Sequence, residues 1–378
     1  MNILITGGAG FIGSHTADAL IAQGHQVRLL DGLWPTVHPK GKPGYLNPEA
    51  EFIQGDVRDK AMWSQALLGI DAVYHMAAYQ DYLTDFSTFF HVNAVSTALL
   101  YEVLVAEPLR YPISKVIVAA SQAVMGEGRY RCNHCAESEH EFVYPGIRST
   151  EQLARGYWEH ACPRCGQDMQ WLASDESVIH PCNQYALSKH SQEKIAIQLG
   201  QRYNIPSVVM RYSIVQGPRQ SFYNAYSGAM RIFALSLQHN RAPIIFEDGC
   251  QIRDFVNIED VVAANIRVLE QDAANYQVFN VGGNQAWRVI DFYNTMQKIV
   301  GKQLTPQLGG QYRFGDTRHI FSDTSRLQAL GWAPQKTVED SIIAYWDYLT
   351  QKEDSLDILD QAEQQMRKLN VIRQVNGK

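Results

Sequence analysis

The chain has 378 residues, 46% of them apolar and 19% charged, a balance that suits a soluble globular protein with room for two domains. A net charge of -6 gives no electrostatic ground for nucleic-acid binding, and no apolar run approaches the roughly 18 residues that a membrane span requires. The opening "MNILITGG" enters a strand pattern at once, without the basic and apolar regions of a secretory signal, so a cytoplasmic chain is expected.

The first element is the strand "NILIT", followed by "GGAGFIG" and the helical stretch "SHTADALIAQGH". Gly7, Gly10 and Gly13 thus fall on a strand, turn and helix start, where backbone can approach a pyrophosphate and the helix end can stabilise its charge. Phe11 and Ile12 share that turn. A second strand, "QVRLLD", ends in Asp31, 18 residues after Gly13. A carboxylate there accepts hydrogen bonds from an adenosine ribose and repels a 2'-phosphate, which favours NAD over NADP. The third strand, "AEFIQGDVRD", ends at Asp56 and Val57. The fourth, "DAVYHMAA", ends at Ala77 and Ala78, small where the chain would pass close to a cofactor. The fifth, "KVIVAAS", ends at Ser121. Strands alternating with helices predict an α/β fold with a doubly wound parallel sheet of the Rossmann type, whose ligands bind beyond the carboxyl ends of the strands.

Residues 130 to 167 hold four of the six cysteines as two Cys-x-x-Cys pairs, Cys132 with Cys135 and Cys162 with Cys165. In a reducing compartment cysteines read as metal ligands or free thiols before disulfides. Each pair is a knuckle that offers two thiolates to one metal, and four make a closed tetrahedral zinc site with no open catalytic position. Two disulfides, a redox pair, or His134 or His160 replacing one cysteine are the alternatives. Cys182 and Cys250 have no paired partner and read as ordinary thiols.

Two Tyr-x-x-x-Lys matches follow from the sequence, and one suits a helix. Pro112 follows Tyr111 directly and leads into a strand, whereas Tyr185 and Lys189 open the helical pattern "YALSKHSQEKIAIQLGQRY" and share a face. Tyrosine alone is a poor base at pH 7; a nearby ammonium and a positive nicotinamide ring would favour its phenolate. Ser121 could hold a substrate hydroxyl beside it, so that a proton leaves to Tyr185 while hydride leaves carbon for NAD. Near the C-terminus, Leu356, Leu359, Ala362, Met366 and Leu369 recur at helical spacing and predict an amphipathic helix packed on the chain's own body.

With "TGGAGFIGSH", "LLD", "GDVRD", "HMAA", "HVNAVST", "AASQAVMG", "YALSK", "RYSIVQGPRQ", "IRDFVNIEDV" and "RFGDTRHIFSD", the chain resembles the extended short-chain dehydrogenase/reductase family of nucleotide-sugar epimerases and dehydratases. The resemblance spans nearly all of residues 1 to 350. It implies Ser121, Tyr185 and Lys189 as catalytic residues, Asp56 and Val57 beside the adenine, Asn93 in the cofactor site, and Lys189 on the nicotinamide ribose. Arg211, Arg219, Arg253 and Arg313 would meet the sugar-nucleotide or its diphosphate, and Asp316 the nucleotide ribose. Gln122 and Ala123 stand where 4,6-dehydratases carry an acid-base pair, so the resemblance favours a 4-epimerase, most like those of the dTDP-L-rhamnose and UDP-glucose type. Dehydratase, decarboxylase or reductase chemistry, and a non-catalytic NAD-binding sensor of redox or zinc status, are the alternatives. Ile214, Gln216 and Met125 depart from the family pattern, and Asp81 and Tyr82, in a bulky acidic segment, would reach the sugar.

Against that family the 63 residues between Ser121 and Tyr185 exceed the usual number by about 38. The expected organisation is a cofactor domain over 1–210, interrupted by a zinc-ribbon insertion over 128–177, a smaller substrate domain over 211–350, and the C-terminal helix over 351–378. The insertion is expected to wall or cover the pocket. A homodimer is the assembly the resemblance implies.

Overall fold

A computed structural model describes residues 1–138, 141–222, 228–351 and 356–376; side chains at 356–358, 361–362 and 365 are outside the description. Seven parallel strands form the central sheet: β1 (Asn2–Thr6), β2 (Gln26–Asp31), β3 (Glu51–Gln54), β4 (Ala72–His75), β5 (Lys115–Ser121), β6 (Ser207–Tyr212) and β7 (Val278–Val281). Their order is β7-β6-β5-β4-β1-β2-β3, so the winding reverses between β1 and β4. That reversal opens a crevice beyond the strand ends, the place where doubly wound sheets bind ligands. The strands are short runs of Val, Ile, Leu and Ala, buried on both faces because helices cover both. One apolar layer gathers Leu20, Leu29, Ile117 and Phe279, and the other Leu4, Trp63, Leu100 and Val209.

Helix α1 (Phe11–Ala22) leaves β1 through the glycine turn and packs on Ile258–Glu270. Helix α2 (Gln184–Tyr203) packs on β5 and β6 and on Ser96–Ala106. Asn183 caps α2 by accepting the Ala186 N–H at 2.8 Å, which fixes the turn from which Tyr185 projects.

The stretch Phe86–Ala106 is one helical run of 21 residues, long and apolar enough to cross a membrane by length and composition. This corrects the expectation that no segment reaches that length. Scattered Ser, Thr, Asn and His break the apolar run in the sequence without cancelling its average. Phe89, Val92, Leu100, Tyr101 and Leu104 bury against the sheet, so its apolar character belongs to the core. Within it, His91–Val95 forms a π-turn. The turn aims Asn93 at Tyr79, whose N–H it accepts at 2.8 Å, and at Ser188 of α2, to which it donates at 2.9 Å.

A smaller layer is built on Ile214–Gln216, Ile252–Asn257 and Ala286–Arg288, with its own core of Phe233, Phe255, Phe292 and Tyr345. The C-terminal helix, Leu356–Lys368, buries Leu359 and Met366 and pairs Glu363 and Asp360 with Arg241, while the side chains of Leu356 and Ala362 are outside the described residues. Between β5 and α2, Arg129–Arg131 and Gln170–Leu172 form a separate antiparallel ribbon. The chain returns from it beside its point of departure, where His180 N–H donates to Val124 O at 2.9 Å.

Candidate active site

The glycine turn sits at the sheet's reversal. Gly7 has φ 67°, a left-handed backbone, and a Cβ there would lie 2.8 Å from Ala77 N. A Cβ on Gly13 would meet Gly7 O at 2.4 Å. Gly10 begins α1 with no side-chain cap, leaving the first-turn N–H groups for an anion. Ala77 is held across the crevice by its N–H on Thr6 Oγ1 at 3.2 Å. Thr6 in turn bonds the fully buried His75 at 2.8 Å, and His75 bonds Ser96 at 2.9 Å. Burial holds the His75 imidazole down to about 3, so it is neutral. Asp31 closes the turn from the other strand, accepting Ala9 N–H at 3.0 Å and Leu33 N–H at 2.8 Å.

These parts face a cavity of about 910 Å³ whose walls include Phe11, Ile12, Ala78, Ser121, Tyr185 and Lys189. Tyr185 hydrogen-bonds Ser121; burial pushes the phenol up to about 12 against the pull of that bond. Ser121 is oriented by accepting Ala123 N–H at 3.2 Å. Lys189 donates to Ala119 O at 2.7 Å and Gln192 Oε1 at 2.9 Å, and burial brings its ammonium down to about 7. The expected lowering of the tyrosine's pKa is therefore not a property of the protein alone. Desolvation of a buried phenol outweighs the hydrogen bond, and Lys189 faces a carbonyl and an amide.

At the opposite wall stand Tyr82, Arg253, Arg313 and Asp316. Arg313 donates to Asp316 at 2.8 Å and to the Tyr82 hydroxyl at 3.2 Å, and Arg253 lies 3.6 Å from the same carboxylate. Burial pushes the Asp316 carboxyl up, but Arg313 and Arg253 together hold it below the usual range. Arg219 lines the cavity too, paired with Asp18 at 2.7 Å and resting on the Tyr45 ring.

Arg211 is a correction. It is buried, bidentate to Glu193 at 2.7 and 2.8 Å, and donates to the carbonyls of Glu176 and Val178. Every guanidinium nitrogen is engaged and none lines the cavity, so this arginine ties α2 to the segment before it. Asp81 also turns away from the walls, accepting Tyr82 N–H at 2.6 Å, and burial pushes its carboxyl up. Asp56 pairs with Arg58, Val57 is buried under Trp63, and Asn93 lies behind the cavity as described above. Sequence reasoning passed over several wall residues: Glu127, Asn183, Phe246 and the 37–45 segment. For Asn183 the capping position before "QYALSK" was a usable signal; the others meet the cavity only through tertiary contacts.

The four cysteines converge. All their Sγ atoms lie within 4.8 Å of one another, with pairs at 3.4 to 3.6 Å and none at bonding distance. A tetrahedral ion with metal–sulfur bonds of about 2.3 Å separates its ligands by about 3.8 Å, so the set fits one metal.

A glycine turn at the reversal of a doubly wound sheet, facing a serine, tyrosine and lysine across one cavity, defines an enzyme of the short-chain dehydrogenase/reductase type. The chain belongs to the NAD dependent epimerase/dehydratase family, whose model matches residues 3–145 and 164–282. It is 30% identical over 359 residues to a dTDP-L-rhamnose 4-epimerase of Burkholderia thailandensis, covering 93% of this chain and 96% of that protein. A putative UDP-glucose 4-epimerase of Methanocaldococcus jannaschii is 28% identical over 346 residues, 90% of this chain and 95% of its own. Among solved structures, the UDP-glucose 4-epimerase of Thermotoga maritima with UDP-glucose superposes with a TM-score of 0.75 at 27% identity, covering 93% of this chain and 99% of that one. The UDP-glucuronic acid 4-epimerase of Bacillus cereus, in complex with UDP-glucuronic acid and NAD, gives 0.73 at 26%, with the same coverage.

Proposed function

We propose that this protein is an NAD-dependent nucleotide-sugar 4-epimerase acting on a dTDP- or UDP-linked hexose or 6-deoxyhexose through a transient 4-keto sugar. The observation that carries the reading is the single cavity that joins Ser121, Tyr185 and Lys189 to Arg253 and Arg313. NAD, when bound, supplies the two-electron acceptor and donor at the sugar's C4. The glycine turn and the uncapped start of α1 would hold its pyrophosphate. Tyr185 Oη takes the 4-hydroxyl proton and returns it, while Ser121 hydrogen-bonds the same oxygen. Arg253 and Arg313, resting on Asp316, meet the diphosphate and keep the nucleotide still while the sugar turns. Gln122 and Ala123 transfer no proton, which leaves no acid-base pair for removing water.

We also infer a structural zinc ion held by Cys132, Cys135, Cys162 and Cys165. Four thiolates close its coordination, so it contributes folding energy to the ribbon rather than chemistry.

The test is a panel of dTDP- and UDP-hexoses incubated with the purified protein without added cofactor and followed by NMR. Interconversion of C4 epimers is expected for one sugar-nucleotide. Accumulation of a stable 4-keto product would replace this reading with a dehydratase, and no turnover across the panel would sink it.

A further inference from the structure

The insertion does not close over the cavity: among its described residues Ile147 alone reaches the wall. Its buried polar groups point instead into the loop that carries Arg313 and Asp316. Arg148 is fully buried and donates to both oxygens of Glu247, at 2.8 and 3.0 Å, to Trp158 O, and to the backbone carbonyl of Asp316 at 2.9 Å. Glu247 also receives Arg318 at 2.9 Å and donates its own N–H to Gln311 O, in the strand that ends at Arg313. Its backbone is left-handed at φ 56°, uncommon away from glycine, and its neighbour Phe246 stacks under the Arg313 guanidinium at 5.0 Å. A second grip comes from Glu159, which accepts from Arg318 and bonds His319 at 2.9 Å. His160 bonds Glu127, which accepts the Arg318 N–H at 2.8 Å.

We propose that Arg148 is a positioning residue for substrate affinity: from the insertion it fixes the Asp316 backbone and Glu247, and so holds Arg313 and Asp316 at the cavity wall. The inference rests on the proposed sugar-nucleotide site and adds what the ribbon does for it. The ribbon is a brace behind the substrate loop. The described hydrogen bonds of Arg148 reach Trp158, Glu247 and Asp316 and not the glycine turn, Tyr185 or Lys189, so its effect is to fall on nucleotide-sugar binding and not on cofactor retention.

The test uses the full-length, NAD-loaded protein and calorimetric titration with UDP and with dTDP. Arg148→Met is expected to weaken the better-bound diphosphate about tenfold, the loss of roughly one well-placed charged contact, with NAD and zinc content unchanged. Arg148→Lys, which keeps the charge but not the fork, should recover part of that loss. Undiminished affinity in a folded, NAD-loaded Arg148→Met protein overturns the proposal, and so does a loss that only tracks loss of NAD. Should Arg148→Met fail to fold, Glu159→Gln at the half-exposed end of the network must weaken binding about threefold, and unchanged affinity there overturns it equally. If the wild-type protein binds neither UDP nor dTDP, the epimerase reading fails first and takes this inference with it.

Discussion

Replacing Tyr185 by phenylalanine isolates one hydroxyl. The ring is 7% exposed and packs in the same apolar layer as Val118 and Ala120, so phenylalanine fits without a cavity. What is lost inside the protein is the hydrogen bond with Ser121. A neutral hydrogen bond of that kind is worth about 1 kcal/mol, which in a chain of this size lowers Tm by about 2 °C or less. The catalytic loss should be far larger. With its pKa pushed up to about 12, the phenol stands five units above pH 7, and forming the phenolate in the protein alone would cost about 7 kcal/mol. The positive ring that NAD supplies when bound would favour the phenolate and offset part of that cost; general acid-base catalysis of this kind contributes about 10²- to 10⁴-fold. Initial rates of C4-epimer formation should therefore fall by that factor, with bound NAD measured after denaturation and found equal to wild type. A folded, NAD-loaded variant that keeps more than about a tenth of the wild-type rate would refute the assignment of Tyr185 as proton carrier.

Two other expectations are independent of turnover. His75 is buried and held down to about 3, below the 6.5 of the unfolded chain, so on acidification the unfolded state takes up a proton that the native state refuses. Its contribution is intact above pH 6.5 and is lost as pH falls toward 3, by about 2–3 kcal/mol at pH 4.5. Denaturant titrations at pH 7 and 4.5 should show that difference, reduced by about that amount in His75→Gln; an identical acid loss in the variant would discard the argument. Elemental analysis of untagged protein should find about one zinc per chain, and Cys135→Ser should lose it and melt several degrees lower. Four freely titrating thiols in a zinc-free, fully folded wild type would remove the metal from the account.

Much of the architecture was legible because its signals are local. The glycine turn and the Tyr185–Lys189 pair are each spaced over a few residues, and Asp31 ends the very next strand, so backbone geometry converts such spacing directly into position. The two Cys-x-x-Cys knuckles were legible for the same reason. Arg211 was misassigned because its partner Glu193 and the carbonyls of Glu176 and Val178 meet it only through tertiary packing. An arginine reads alike in sequence whether it faces a diphosphate or a buried carboxylate. That the tyrosine's pKa lies above its ordinary value in the protein alone was not legible, because burial, unlike charge, leaves no mark in a short motif. The direction in which the insertion packs was not legible: the residues that receive it, Glu247, Arg318 and His319, lie far along the chain.

The hydrogen bond from His180 to Val124, which brings the insertion's exit back to its entrance, has a thermodynamic consequence. Closing a flexible loop costs free energy that grows only with the logarithm of its length, so stretching this connection from about 25 to 63 residues adds about 0.8 kcal/mol. The zinc ion proposed for the four cysteines would offset that many times over. The strand that ends at Ser121 and the helix that begins at Gln184 therefore need not move apart to admit what is spliced between them. This junction is a socket: what is inserted there can grow or shrink without changing the distance between the strand end that carries Ser121 and the helix start that carries Tyr185.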